Sequence, residues 1–546
     1  MFKNHPKGLA VAFFANMGER FGFYTMMACL VFFLQARFAL AEDQAGHIYA
    51  WFYFLIYGLA LVGGLIADKT QNYKGTILIG IIVMLLGYGV MSVPGMGLKV
   101  TIAGLMVIAL GNGLFKGNLQ ALVGQLYDDP KYSKLRDSAF SLFYMGINIG
   151  AFFAPSAANG IRNWFLKTQG FVYDADLPGL CNSFIGGTLT DTSNLQVLAD
   201  KVTGAPVADL SIFTHNYINA FSTGYNYAFA IAAGAMIVSL LIYTLFKRQL
   251  PDRKKMVEKN KDIIQMPWAE ERQRIVALLL VFFVVVFFWM SFHQNGLTMS
   301  YFARDYTAKA VGPITNLFFE LKSFLSLIAA IIGLVFLIRK SDKLMPRLIG
   351  GALMLVGGYL TYFFYSQYAP SNPIEPEIFQ HFNPIFIVFL TPVVVWFFGY
   401  LRKRDKEPSA PKKIGFGMIL AALGFLVMLV GSIHLLSPSA LGATVSPDRV
   451  SPYWLINSYF ILTIAELFLS PMGISFVSKV APPRFQGLMQ GGWLGATAIG
   501  NSLLFIGSSM WVKVELWQLW SIFVICCLLS AAFIFSVMKR LERVTQ

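Results

Sequence analysis

Asn16-Met17-Gly18-Glu19-Arg20-Phe21-Gly22-Phe23-Tyr24-Thr25-Met26-Met27 puts two ionisable side chains inside the first long apolar segment of the chain. At about 100° per residue, Asn16, Glu19, Arg20, Phe23, Tyr24 and Met27 fall within one arc of a helix, so the polar groups share a face. A charge near the centre of a bilayer costs from a few to more than about 10 kcal/mol. That face must line a watery cavity or meet partners on other helices. The segment therefore reads as an inward-looking helix of a polytopic membrane protein.

Composition agrees. Of 546 residues, 56% are hydrophobic and 13% charged, with a mean hydropathy of +0.61, far from the range of soluble domains. The net charge of +15 comes from Lys and Arg gathered in short loops between apolar runs. This is the pattern of cytoplasmic membrane loops and argues against nucleic acid as a partner. Cys29, Cys526 and Cys527 lie in apolar segments and Cys181 in a polar loop, which gives neither a disulfide framework nor metal spacing, and no cofactor is expected. Glu19 and Arg20 interrupt the basic-then-apolar N-terminus and no small-residue cleavage site follows, so it reads as a retained first helix.

About 20 apolar residues cross a hydrocarbon core. Candidate spans fall at 10–36, 46–68, 74–95, 99–126, 138–161 and 225–247, then at 275–302, 316–338, 347–367, 380–401, 414–436, 455–479, 487–510 and 517–538, fourteen in all. Lys69 and Lys74, then Lys131, Lys134 and Arg136, then the basic run 248–274 fall on one side. Arg339, Lys340, Lys343 and Arg347, the run 402–413, and Lys539, Arg540 and Arg543 join them. The positive-inside rule then places both termini in the cytoplasm. The expected organisation is an N-terminal six-helix bundle over 1–247, a basic cytoplasmic linker over 248–274, and a C-terminal bundle over 275–546 that carries two additional helices over 316–367. The polar stretch 163–222 is expected outside, as a small ordered cap or a mobile loop. Two such halves suggest a transporter with its substrate site at the midplane.

Three further faces carry polar tips. Gly111 to Asn118, G-N-G-L-F-K-G-N, stacks Asn112, Lys116 and Gln120 at spacings of four. Phe143 to Gly150, F-Y-M-G-I-N-I-G, stacks Tyr144 and Asn148, and Ala465 to Gly473, A-E-L-F-L-S-P-M-G, stacks Glu466 and Ser470. A buried base and acid on different halves, Lys116 and Glu466, can satisfy each other when empty or bind the two ends of a zwitterion. In the turn after span 2, Gly63 to Lys69, G-G-L-I-A-D-K, with Lys74 beyond it, resembles the cytoplasmic loop signature of the major facilitator superfamily. The resemblance makes Gly64, Asp68, Lys69 and Lys74 a gate motif in which the acid accepts hydrogen bonds from a helix N-terminus.

Together these stretches, with N-P-I-F at Asn383 to Phe386, resemble the proton-coupled oligopeptide transporter family over nearly the whole length. The first stretch is similar to that family's E-x-x-E-R-F-x-Y-Y. The resemblance implies a major facilitator fold and proton-coupled symport of di- and tripeptides across the cytoplasmic membrane, not an enzyme. It implies that Arg20 and Lys116, aided by Tyr24, bind the peptide carboxylate. Glu466, Asn148 and Asn383 would hold the amino end, and Tyr57, Trp289, Ser470 and Trp493 would form the pocket wall. The protein is expected to work as a monomer.

The chain departs from the family at Asn16, Phe23 and Met27, and at His293, which stands where a glutamate partner of the position-27 arginine is expected. Losing both gate partners together avoids leaving one buried charge unpaired. Glu19 and Glu466 remain as carboxylates able to cycle a proton near Lys116. His293 is a further candidate because an imidazole titrates near neutrality, its bland reading being a neutral histidine hydrogen-bonded between helices. A fixed salt-bridge cluster is the corresponding bland reading for Glu19, Arg20, Lys116 and Glu466, and plain packing for the aromatics. A carrier for a non-peptide substrate and a non-transporting peptide receptor are the competing functions.

Overall fold

The computed structural model describes residues 2, 4–251, 266–339, 344–442, 444–482 and 485–544. Most of the basic linker and the loop lysines Lys340 and Lys343 lie outside them. Among the described residues the fold is all-α apart from a two-stranded antiparallel pair, Ala310–Val311 with Asn372–Pro373, and an isolated bridge between Thr307 and Val450. Among the described residues, thirteen helices are long and apolar enough to cross a membrane.

The first six long helices are α1 (Lys7–Phe38), α2 (Glu42–Thr70), α3 (Tyr73–Met91), α4 (Leu98–Gln125), α5 (Arg136–Thr168) and α6 (Leu210–Phe246). The eight that follow are α7 (Trp268–Phe292), α8 (Leu321–Ile338), α9 (Leu344–Gln367), α10 (Phe382–Arg402), α11 (Ala410–Ser432), α12 (Tyr453–Val480), α13 (Gln486–Ser502) and α14 (Leu516–Ser536). The span expected at 487–510 breaks at Leu503 and Leu504 into α13 and a short helix, Phe505–Trp511. Gly500, Asn501 and Ser502 directly precede that break.

The stretch 163–222 is ordered. Helix α5 runs on to Thr168, and two short helices, Leu177–Ile185 and Ser193–Thr203, bury Leu180, Cys181, Leu195, Ala199 and Val202. Helix α6 begins at Leu210, four turns before the apolar run, because Asp209 accepts from the N–H groups of Ser211 and Ile212 at 2.8 and 3.1 Å. Such a side chain satisfies donors that a helix start otherwise leaves open. This cap marks one end of the bundle.

Helix α1 packs on α5 and α6, α2 and α3 on α4, and α3 on α6, while α11 packs on α12 and α14, and α7 on α13. The hairpin α8–α9 packs chiefly on itself. Its outer residues, such as Leu355 and Tyr359, are exposed as lipid-facing side chains are. Only near the cap end does Phe324 of α8 reach Phe152 of α5 and Ile385 of α10.

One crossing positions the site. An added Cβ at Gly63 of α2 would lie 2.1 Å from the Gly113 carbonyl oxygen of α4, and one at Gly113 would lie 2.7 Å from the Leu59 backbone. Two glycines thus let the backbones touch, as small residues do between membrane helices. The contact holds Tyr57, on α2, against Lys116, one turn beyond Gly113. Forcing a side chain into such a contact costs about 1–3 kcal/mol or more. Gly113→Leu is expected to lower the thermal unfolding midpoint in detergent by several degrees, read by intrinsic fluorescence.

Candidate functional site

Midway along the helices lies a cavity of about 230 Å³ with walls from both halves of the chain. Arg20 and Tyr24 reach it from α1, Tyr57 from α2, Lys116 from α4 and Asn148 from α5. Trp289 and His293 reach it from α7 and its 3₁₀ extension, Asn383 from α10, Glu466 and Ser470 from α12, and Trp493 from α13. Glu19 does not line it. That carboxylate is fully buried behind Arg20, which donates to it through Nε at 2.5 Å and Nη2 at 2.7 Å, and Asn112 Nδ2 donates at 2.6 Å. The pair leaves the guanidinium edge at the cavity with its charge locally balanced.

The expected attraction between Lys116 and Glu466 is not made. The Lys116 ammonium sits over the Tyr57 ring, 3.8 Å from its centroid, an arrangement that stabilises a desolvated cation by up to about 2 kcal/mol. Glu466 accepts from the Tyr144 hydroxyl at 3.3 Å and from Asn383 Nδ2 at 3.0 Å. Asn383 also donates to Thr463 Oγ1 at 3.0 Å. Among the described residues, neither charge has an ion-pair partner. The cavity is thus lined by Lys116 and Glu466, each kept in place by neutral groups, and by the Arg20 guanidinium, which Glu19 balances. Trp289 and Ser470 line the same space, and Trp289 Nε1 and Ser470 Oγ are buried with no protein partner among the described residues.

His293 stacks on Trp289 with centroids 4.8 Å apart and lies 4.7 Å from Tyr53. Its Nδ1 is 2.5 Å from Asn501 Oδ1. Met27 and His293 both line the cavity. Phe23 packs edge-on against Tyr24 and Tyr53, and Asn16 Nδ2 is buried without a described partner.

The gate motif lies at the end opposite the cap. Gly64 has open space around it, whereas its neighbour Gly63 makes the α2–α4 contact. Asp68 accepts from the Tyr73 hydroxyl, and Asn72 Oδ1 accepts from the Gly75 N–H at 3.0 Å, capping α3. Lys69 is exposed and the Lys74 carbonyl accepts from Tyr243 at 3.1 Å.

Sequence reasoning missed the charges at the cap end. Arg162 of α5 is fully buried and donates to Glu375 at 2.8 Å, to Glu377 and to Tyr225 at 3.0 Å. Arg304 donates to Glu42 at 3.1 Å, and Asp176 accepts from Lys309 and from Arg449 at 3.2 Å. Every described ion pair between residues 1–247 and 275–546 lies at this end. At the opposite end the described pairs, such as Arg136–Asp128 and Lys413–Glu407, stay within one half.

A helical membrane body with a midplane cavity between two packed groups of helices defines a carrier of the major facilitator type. The chain belongs to the POT family, whose sequence profile matches residues 74–268 and 367–518. It is 28% identical over 526 residues to the peptide transporter YePEPT of Yersinia enterocolitica, covering 92% of this chain and 87% of that one. It is 26% identical over 511 residues to dipeptide and tripeptide permease A of Citrobacter koseri, covering 91% and 82%. Its fold matches a crystal structure of a POT family transporter in complex with a thioalcohol-conjugated peptide, with a TM-score of 0.67 and 19% identity over 100% of this chain and 98% of that one. A peptide transporter POT in complex with sulfate matches with a TM-score of 0.66 and 21% identity, covering 100% and 96%.

His293→Gln keeps a donor for Asn501 but removes a ring able to take a proton. Uptake driven by a pH gradient is expected to fall several-fold, and unchanged coupling would remove His293 from the proton path.

Proposed function

We propose that this protein takes up di- and tripeptides together with protons across the cytoplasmic membrane, as a monomer with both termini inside. The observation that carries the reading is the separation of Lys116 and Glu466. A linear peptide at neutral pH has a carboxylate at one end and an ammonium at the other. It answers the cavity's charges without either wall being neutralised beforehand. Arg20 and Lys116, with Tyr24, receive the carboxylate. Glu466, with Asn148 and Asn383, receives the amino group. Ser470 Oγ and Trp289 Nε1 supply the hydrogen bonds a peptide backbone needs, and Tyr57 and Trp493 close the walls.

Transport proceeds by alternating access, residues 1–247 and 275–546 moving against one another about this cavity. With the cap outside, the cross-half ion pairs hold the outer face shut, so the structure is the form closed to the outside. Glu466 is the first candidate for the transported proton, because its partners Tyr144 and Asn383 are neutral and serve either protonation state. Tyr144 also ties Glu466 to the opposite half, so a change at that carboxyl reaches both bundles. A ligand shifts the equilibrium only by the difference in its affinity for the two states.

A charged hydrogen bond contributes about 1.5–3 kcal/mol, which corresponds to roughly 10- to 100-fold in affinity. N-acetylated dialanine and dialanine amide are therefore expected to compete with labelled dialanine at least tenfold more weakly than dialanine itself. Equal competition by all three would exclude recognition of the two peptide ends. Lys116→Ala is expected to abolish proton-driven uptake, and normal accumulation against a gradient in that variant would refute its role.

A further inference from the structure

The buried cluster at the cap end carries one charge too many. Arg162 supplies a single guanidinium, and two carboxylates meet it, Glu375 through Nη2 at 2.8 Å and Glu377 through Nη1. Glu377 is fully buried and Glu375 is 19% exposed. Tyr225 donates to Glu377 at 2.5 Å and Asn163 donates to Glu375, and both are neutral. The Arg162 guanidinium lies over the Tyr173 ring, 3.8 Å from its centroid, which encloses it further. Gly224 leaves space for its stem, since an added Cβ there would lie 2.9 Å from Arg162 Cγ.

Among the described residues, no second cation pairs with Glu375 or Glu377. Helix α1 contributes the thiol of Cys29, within electrostatic reach of Glu377. The helix Thr298–Asp305 carries Arg304 and Asp305, which pair with each other and with Glu42. His381, at the far end of the turn that carries Glu377, lies against Phe152, Phe324 and Phe382. With both carboxylates ionised, the closed face would enclose a net charge of minus one, and an uncompensated buried charge is among the costliest features a fold can carry. Burial pushes the Glu375 carboxyl up, Arg162 opposes that shift, and the nearby Glu377 adds to it.

We infer that Glu375 and Glu377 form a proton-binding site which is filled when the outer face closes. Arg162 and Tyr225 belong to one half of the chain and the two glutamates to the other, so the cluster exists only in the closed form. Opening would expose both carboxylates to water, where each ionises in the ordinary range. Closing gathers them on one cation and takes up one proton from the outer solution. The closed state binds more protons than the open one, so acid favours it and it loses ground as pH rises. Reopening the same face returns the proton outside. The pair therefore sets the pH dependence of closure and is separate from the proton carried with the peptide. The inference rests on the alternating-access reading above.

The experiment is a distance measurement between spin labels at two exposed positions on the cap end, Lys167 and Ser439, in the full-length protein without substrate from pH 5 to 9. In the otherwise wild-type chain the closed-to-open ratio is expected to fall as pH rises, by up to about tenfold per unit within the titration window. Glu375→Gln and Glu377→Gln each give a neutral cluster without a proton, so both should stay closed throughout, while Glu375→Asp keeps the pH dependence. A fixed ion pair would behave in the opposite way, with the glutamine variants opening at every pH. That result, or a closed population in the wild type that does not change with pH, would overturn the inference. Absence of proton-driven uptake in proteoliposomes would count against symport alone and would leave this titration decisive for the glutamate pair.

Discussion

Charge in a low-dielectric interior is the constraint on which this structure depends. A membrane helix can carry an ionised side chain only where a partner or water offsets its desolvation. The buried charges here meet that condition in two ways. Glu19 with Arg20 is matched within the protein, and Arg162 is shared by Glu375 and Glu377. Lys116 and Glu466 are not matched by any described charge, and both stand at the cavity. The first arrangement closes or braces. The second leaves opposite charges waiting for a ligand with two charged ends.

The backbone serves this arrangement. Gly63 against Gly113 brings α2 and α4 into contact and lays Tyr57 on Lys116. Tyr144, on the same helix as Arg162, reaches Glu466 on the opposite half. One helix thus touches both the substrate cavity and the cluster at the cap end, which gives the two sites a shared rigid element. The departures at Met27 and His293 fit the same logic. Both positions line the cavity, and the described ion pairs between the two halves lie nearer the cap.

Much of this was legible in the sequence. The spacing of Asn16 to Met27, Lys116 with Asn112, and Glu466 with Ser470 revealed inward faces, because helical periodicity reports which side chains share a side. It does not report which side chain across the bundle each will meet. Lys116 and Glu466 were therefore expected to pair, and instead each found neutral partners. Arg162 lies just beyond the expected end of its span, where a basic residue reads as an interfacial anchor. Glu375 and Glu377 lie in a Pro-rich loop, where acids read as solvated. Only the fold brings them together, across more than two hundred residues. The cap helices, of 9 and 11 residues, were too short to stand out as periodic segments, and the break at Leu503 follows a short Gly500-Asn501-Ser502 run inside an apolar stretch.

Reading the cavity as a binding site for the two ends of a small peptide, worked by a proton gradient, leads to one direct test. Labelled dialanine is offered to proteoliposomes containing the purified protein, with the outside more acidic than the inside. The account predicts accumulation above the outside concentration that collapses when a protonophore is added. Equilibration to equal concentrations on both sides, or accumulation that the protonophore leaves untouched, would contradict it.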